Sequence, residues 1–370
     1  MFQTMLSPQY LAGFSAMLSV VACGGCYGWV APIITYLNDP SHDIYMTSAQ
    51  IAFMVSILSL GEVLSCIPAG LLADRYGRKL IMLISGPMYA ATWIVITFST
   101  DYLLICAMRI VQGVAMGLVF TVCPMYLGEI SSITERGSIT GLFSTGWFVG
   151  YLFEYCVGPF VSFTLFTLIT AMVPMVFTIL FLYQPESPYY FISKEKIKEA
   201  TESLRYLRKG SSEESVKIEL EAMKESVKRD LANKPSWKDI IETKADRRAL
   251  LIIFIIGVTR ILNGVMALMS YSTYLFSEVG PIFLSPDVLT ILMGVTFLFG
   301  GFINAAVVDS FGRRPLIFIS CIGSTISLSI IGGFFTLKNT IPEAVGGFGW
   351  LVPLSAILLC ILSVVGIHPI

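Results

Sequence analysis

Long apolar runs alternate with short polar breaks along most of the chain, and one long polar stretch interrupts them. A membrane-crossing helix needs about twenty apolar residues. Runs of that kind fall at roughly 10–34, 50–73, 80–99, 102–127, 138–158, 161–183, 249–276, 285–308, 315–337 and 347–370. The pattern predicts a six-helix transmembrane bundle over 1–183, a hydrophilic linker over 184–248, and four more helices over 249–370. Within the linker Val216, Leu220, Met223, Val227 and Leu231 recur at spacings of four and three, the single apolar stripe of an amphipathic helix. Ser211 and Glu214 have capping-box spacing at its start, and Pro235 is expected to end it. Two readings of the stripe stand: a helix docked beneath the bundle, or a solvated linker.

Composition narrows the class. The chain is 55% hydrophobic and 13% charged, against about 25% charged in soluble domains, and its mean hydropathy is +0.77. This is the profile of an all-α, multi-pass membrane protein whose first partner is the lipid bilayer. Net charge is −1, so nothing points to a nucleic-acid partner. Basic residues set the expected orientation. Short connections after spans two, four and eight hold Arg75, Arg78, Lys79, Arg136, Arg313 and Arg314, whereas the opposite connections hold only Lys338. The bias places the N-terminus and the 184–248 linker on the cytoplasmic side, in a protein expected at the plasma membrane. The run over 11–36 is too long for a cleavable signal and lacks a basic start.

Candidate covalent chemistry is sparse. All eight cysteines lie in or beside apolar runs and read as small buried hydrophobes. Cys23 and Cys26 have redox spacing but no second pair, and the two histidines, His42 and His368, form no cluster. No metal site, cofactor or catalytic constellation is expected, so the chain does not read as an enzyme. Charges inside predicted spans are a different matter, because each is costly in hydrocarbon and marks a functional candidate. Glu62, Arg109, Glu154 and Arg260 are of this kind. A polar motif also occurs twice: GLLADRYGRK over 70–79 and VVDSFGRRP over 307–315, each just after an apolar run. Matching motifs in two halves point to a transporter built from internal repeats.

These motifs, taken together, resemble the sugar porters of the major facilitator superfamily, in particular insect facilitated trehalose transporters and mammalian facilitative glucose transporters. The family's D-R-x-G-R-[RK] is matched by Asp74, Arg75, Gly77, Arg78 and Lys79, and in the second half by Asp309, Gly312, Arg313 and Arg314, with Ser310 in place of the usual arginine. Span four opens with Arg109 and Gly113. It closes on Pro124, Tyr126 and Glu129, followed by Glu135, Arg136 and Gly137, and PESPYY over 185–190 resembles the motif after span six. The resemblance runs from about residue 10 to the end and implies alternating access between two helical bundles. It makes Asp74, Arg75, Arg78, Glu129, Arg136, Glu186, Asp309, Arg313 and Arg314 candidates for ion pairs that clamp the inner face shut. The other reading of the same charges is anchoring at lipid headgroups.

Departures from the family pattern bear on substrate and coupling. The glutamines and asparagine of the seventh span are replaced: the segment reads Arg260 to Met266, with Asn263, Gly264 and, further on, Tyr271. Expected solute contacts are therefore Ser144, Arg260, Asn263, Met266, Tyr271 and Trp350, with aromatic rings stacking on sugar faces and Ser and Asn hydrogen-bonding. Arg260 either faces the cavity and binds a strongly polar solute, or pairs with a carboxylate or reaches the cytoplasmic side. Proton-coupled members resemble one another in a span-one carboxylate, and Cys26 falls near that position here, which argues for facilitated diffusion. Arg109 then needs another partner, and Glu62, at similar depth on span two, is expected to supply it. The family pattern has twelve spans, whereas this sequence reaches ten and ends at GIHPI. The two further spans are read as missing through truncation, an alternative product or degeneration. The expected activity is passive movement of a sugar such as trehalose or a hexose. A non-transporting, receptor-like homologue and a proton-coupled symporter are the rival readings.

Overall fold

The computed structural model describes residues 7–232, 243–280, 284–311, 313–345 and 347–367; the side chains of 231, 302, 304–311, 313, 343, 344 and 367 lie outside that description. Among the described residues every regular element is helical. The helices are α1 (Pro8–Gly28), α2 (Val30–Leu37), α3 (Ser48–Tyr76), α4 (Arg78–Phe98), α5 (Tyr102–Ile130), α6 (Arg136–Val157) and α7 (Phe163–Leu182). A polar trio follows, α8 (Pro188–Ser193), α9 (Ile197–Leu207) and α10 (Glu213–Ala232). The remainder are α11 (Lys244–Leu262), α12 (Val265–Ser270), α13 (Ser272–Val279), α14 (Pro286–Phe311), α15 (Arg313–Thr340) and α16 (Leu351–Leu362).

Seven helical runs among the described residues are long and apolar enough to cross a membrane, from Pro8–Leu37 to Arg314–Thr340. Shorter apolar helices cover Pro286–Gly301 and Leu351–Gly366, and the expected fifth span is the 22-residue α6. Two expected spans are not continuous. The first is interrupted between Gly28 and Val30, and the seventh is cut into α11, α12 and α13. Side-chain polarity starts the helices: Thr47 and Gln50 form a capping box for α3, Asp101 accepts from Leu103 N–H at α5, and Thr243 and Asp246 box the start of α11. The first linker expectation needs correcting by one residue. Ser212, not Ser211, caps α10: its hydroxyl accepts from Ser215 N–H at 3.2 Å and its carbonyl from Val216 N–H at 3.1 Å.

Contacts sort the chain into two compact units. The first comprises Met1–Cys26, Leu37–Gly150 and Val161–Lys234; the second comprises Tyr27–Tyr36, Tyr151–Phe160 and Pro235–Ile370. In the first unit α3 is apolar on every side, as a helix between protein and lipid must be. It buries Leu58, Gly61, Ser65, Ala69 and Ala73 and exposes Val63, Leu64, Ile67 and Leu71. Small residues on the inner stripe let backbones approach: a Cβ on Gly61 would stand 2.1 Å from the Ile110 carbonyl, and one on Gly113 1.9 Å from that of Leu58. The linker belongs to this unit. Val216, Leu220, Met223 and Val227 pack with Ile192, Ala200 and Leu204 into one buried cluster, so the stripe is buried against the linker's own helices rather than solvated. In the second unit α16 lies against α15 and α14, with Gly323 beside Leu362 and Gly366 beside Ser320.

Candidate functional site

The first repeated motif folds as a helix–turn–helix end. α3 stops at Tyr76, Gly77 turns the chain at φ 106° and ψ 155°, and α4 starts at Arg78. Gly77 carries no side chain to cap α4, yet the first amides of a helix need acceptors and favour negative charge. Glu186 supplies both. Its Oε1 accepts from the N–H groups of Arg78 and Lys79, each at 3.1 Å, and from its own neighbour Ser187 at 2.8 Å; its Oε2 accepts from Lys79 at 3.0 Å. A Cβ on Gly77 would lie 2.2 Å from Glu186 Oε2. Gly77→Ala therefore meets a left-handed backbone and an occupied site together. It is expected to lose about 1–3 kcal/mol from backbone strain and more if the carboxylate is displaced. Thermal denaturation in detergent measures it.

Arg78 gathers the rest. Its Nε meets Glu129 Oε2 at 3.1 Å, its Nη2 meets Asp74 Oδ1 at 3.1 Å, and its Nη1 donates to the Ala73 carbonyl at 3.2 Å. Its guanidinium sits 5.8 Å from the centre of the Tyr190 ring. The Ser187 hydroxyl donates to the same Glu129 oxygen, Oε2. Backbone acceptors tie in the neighbours: Tyr126 OH to Pro185 O at 2.9 Å, Lys79 Nζ to Leu182 O at 2.7 Å, Ser203 Oγ to Glu186 O at 2.6 Å. The repeat motif, the end of α5 and PESPYY thus form one polar knot at one end of the first unit. Asp74, Arg78, Glu129 and Glu186 meet in it. Arg75 lies over the Tyr76 ring at 5.1 Å, Arg136 is exposed in the first turn of α6, and Arg314 is exposed at the start of α15. The side chains of Asp309 and Arg313 lie outside the described residues.

Burial pushes the Glu186 carboxyl above the ordinary glutamate value of 4.5, against the pull of the Ser187, Lys79 and Arg78 amides and the Arg78 charge. The folded chain therefore holds this proton more tightly than the unfolded chain. Stability from this group is greatest when the group is protonated and declines as pH rises from 4.5 through the raised folded value. Between pH 7.5 and about pH 5 the wild-type melting temperature is expected to rise relative to that of Glu186→Gln, which cannot titrate. Parallel melts across pH would show equal slopes if that coupling is absent.

A second knot went unforeseen in the sequence. Arg208, at the end of α9, is buried, and its Nη1 donates to the Ile130 carbonyl at 2.9 Å and to Gln9 Oε1 at 3.1 Å. Its other edge grips Glu219 of α10, Nη2 to Oε1 at 2.7 Å and Nε to Oε2 at 3.0 Å. A positive group at the C-terminus of α5 also suits the helix dipole. Nearby, Tyr10 OH donates to Glu135 Oε2 at 2.5 Å. One arginine thus joins the start of α1, the end of α5 and both long linker helices.

Among the intramembrane charges, Arg109 is fully buried. Its Nη1 donates to the Cys26 carbonyl at 2.8 Å and to Gln112 Oε1 at 2.9 Å. Cys26 lies in the last turn of α1, so Arg109 serves the C-terminal carbonyls where span one is interrupted. Glu62 is half-buried and adjoins Gly61 at the α3–α5 crossing; Glu154 is buried on α6.

Four of the six expected solute contacts, Arg260, Asn263, Met266 and Tyr271, lie along span seven around its breaks. α11 ends at Leu262; Asn263 caps it, and Gly264 takes φ 72°, which favours glycine. Asn263 Nδ2 donates to Ser363 Oγ at 2.9 Å, and the Tyr151 hydroxyl approaches Met266 Sδ at 3.9 Å. Tyr271, half-buried, separates α12 from α13. Arg260 is exposed in the last turn of α11, where a cation complements the helix end. Trp350 is half-exposed at the start of α16. These five lie in the second unit, and Ser144, exposed on α6, lies in the first.

A helical membrane protein with a polar knot on its repeat motif and a discontinuous seventh span has the architecture of a major facilitator transporter. A solved structure of the xylose transporter XylE from E. coli superposes with TM-score 0.77 at 17% identity, covering 97% of this chain and 85% of that one. Another, titled a major facilitator superfamily proton:xylose symporter, gives TM-score 0.74 at 18% identity over 97% and 79%. At these identities the likeness is one of fold. A family model described as "Sugar (and other) transporter" matches residues 10–368, and the chain belongs to that family. Facilitated trehalose transporter Tret1 of Bombyx mori is 25% identical over 98% of this chain and 70% of its own length. The Aedes aegypti protein of that name is 26% identical over 96% of this chain, which spans 44% of that relative.

Proposed function

We propose that this chain carries a small sugar, trehalose or a hexose, across a membrane by facilitated diffusion with alternating access. The observation that carries the reading is the interruption of the seventh span at Gly264 and Tyr271. Irregular backbone at membrane depth is tolerated where it lines a cavity, and discontinuous helices form the solute sites of secondary transporters. Ser144, Arg260, Asn263, Met266, Tyr271 and Trp350 are the contacts proposed. The names of the insect relatives supply the sugar class. The motif charges, Asp74, Arg75, Arg78, Glu129, Arg136, Glu186, Asp309, Arg313 and Arg314, act as the inner clamp, and Glu62 balances Arg109 within the bilayer. The functional division is a bundle over 1–183, a linker over 184–248 and a bundle from 249. Basic residues favour a cytoplasmic N-terminus and linker, in the plasma membrane. No bond is made or broken in this reading, so the protein is not an enzyme.

Uptake of radiolabelled trehalose and glucose into proteoliposomes, with and without a pH gradient, is the test. Uptake that equilibrates and ignores the gradient is expected. Absence of uptake for both sugars, or accumulation driven by the gradient, overturns the reading.

A further inference from the structure

Two tyrosines, Tyr151 and Tyr155, stand one turn apart on the half of α6 that packs in the second unit. Both are fully buried, and their rings meet edge to face with centroids 6.0 Å apart. The Tyr155 hydroxyl donates to the Met269 carbonyl at 2.7 Å. That carbonyl belongs to α12, which ends at Ser270 because Tyr271 leaves helical geometry at φ −115° and ψ 15°. Ser272 Oγ donates to the same oxygen at 3.1 Å. The break in span seven thus creates an acceptor that side-chain hydroxyls take up.

The ring of Tyr155 has a slot made for it. On α14 a Cβ at Gly294 would lie 2.9 Å from Tyr155 Cδ2, so only glycine leaves the ring this room. Between apolar helices in lipid, packing and a few interhelical hydrogen bonds decide association. A phenylalanine would fill the same slot, so the substitution removes only the hydroxyl, which bonds the Met269 carbonyl beside Ser272. Met266 and Met269 lie on the same short helix, and Tyr151 contacts the first while Tyr155 contacts the second. The helix proposed to touch solute is thereby tied twice to α6, whose beginning belongs to the first unit.

We propose that Tyr155 and the Met269 carbonyl form a latch, fastening the latter half of α6 to the broken seventh span and opening and closing as the protein alternates its access. The latch rests on the alternating-access reading, yet its test needs no transported sugar. Thr273 is buried one turn beyond Met269, its hydroxyl 3.1 Å from that of Thr290. Thr273→Cys, in full-length chain with Cys66, Cys156 and Cys321 changed to serine, reports opening through its labelling rate by a water-soluble maleimide in detergent micelles. Loss of one buried hydrogen bond corresponds to about a two- to tenfold shift in such an equilibrium. Tyr155→Phe is expected to raise the labelling rate by that factor, and Gly294→Ala, which crowds the ring out of its slot, to do the same. Ser272→Ala, which removes the other donor to the same carbonyl, leaves the rate within twofold. An unchanged rate in Tyr155→Phe overturns the latch. An equal rise in Ser272→Ala also overturns it, because the break itself would then have softened. A chain that moves no sugar still gives the labelling result, so the two readings fail separately.

Discussion

Arg78→Ala is expected to destabilise the protein by about 3–5 kcal/mol, the usual loss when one partner of a buried ion pair is removed. The Arg78 side chain is 10% exposed and that of Glu129 19%, so water cannot replace the guanidinium. Its removal leaves Glu129 buried with the Ser187 hydroxyl and strips the Ala73 carbonyl of its donor. The double variant Arg78→Met with Glu129→Leu is expected to recover most of the loss, because an apolar pair removes the charge along with its partner. Asp74→Ala bears on the same arginine from a carboxylate 67% exposed, and about 0–1 kcal/mol is expected there. Melting temperatures of the four proteins in one detergent decide the matter. A fall in Asp74→Ala as large as that in Arg78→Ala would mean that exposure does not govern the knot.

Arg208→Ala is the second large effect, again about 3–5 kcal/mol if the buried Glu219 pair behaves as such pairs do. The arginine is 7% exposed on its side chain and Glu219 27%. The consequence reaches further than one pair, because the same group holds Gln9 and the Ile130 carbonyl. Arg208→Lys keeps the charge but not the planar fork, and it is expected to recover only part of the loss. Limited proteolysis separates this knot from the first: Arg208→Ala should expose α9 and α10 to cleavage while α3 and α4 stay protected. Cleavage no faster than in the wild type would show that the apolar cluster of Val216, Leu220 and Met223 suffices to hold the linker helices together.

Much of the architecture was legible because hydropathy and helical period speak directly to it. The apolar stripe of α10 indicated an amphipathic helix, which buries that stripe within the linker, and the motif residues Asp74, Arg78, Glu129 and Glu186 meet at one end of the first unit. The breaks at Trp29 and Tyr271 were not legible, since both fall inside long runs that read as single spans and hydropathy does not register backbone direction. Arg208 was hidden for another reason. Among fifteen basic residues of the linker, nothing local separates an arginine that caps a distant carbonyl from one facing water. Tyr155 likewise reads as one more aromatic in an apolar run. Its hydroxyl gains meaning only from the carbonyl freed 114 positions later.

The carboxylate that closes the first turn of α4 arrives 108 residues after the amide it serves. A ribosome adding about 5–20 residues each second needs roughly 5–20 seconds to make that length. During that interval the Arg78 and Lys79 amides have only solvent or lipid phosphate for company. Biogenesis therefore passes through a stage at which α1 to α7 are already made while the turn between α3 and α4 is still unsealed.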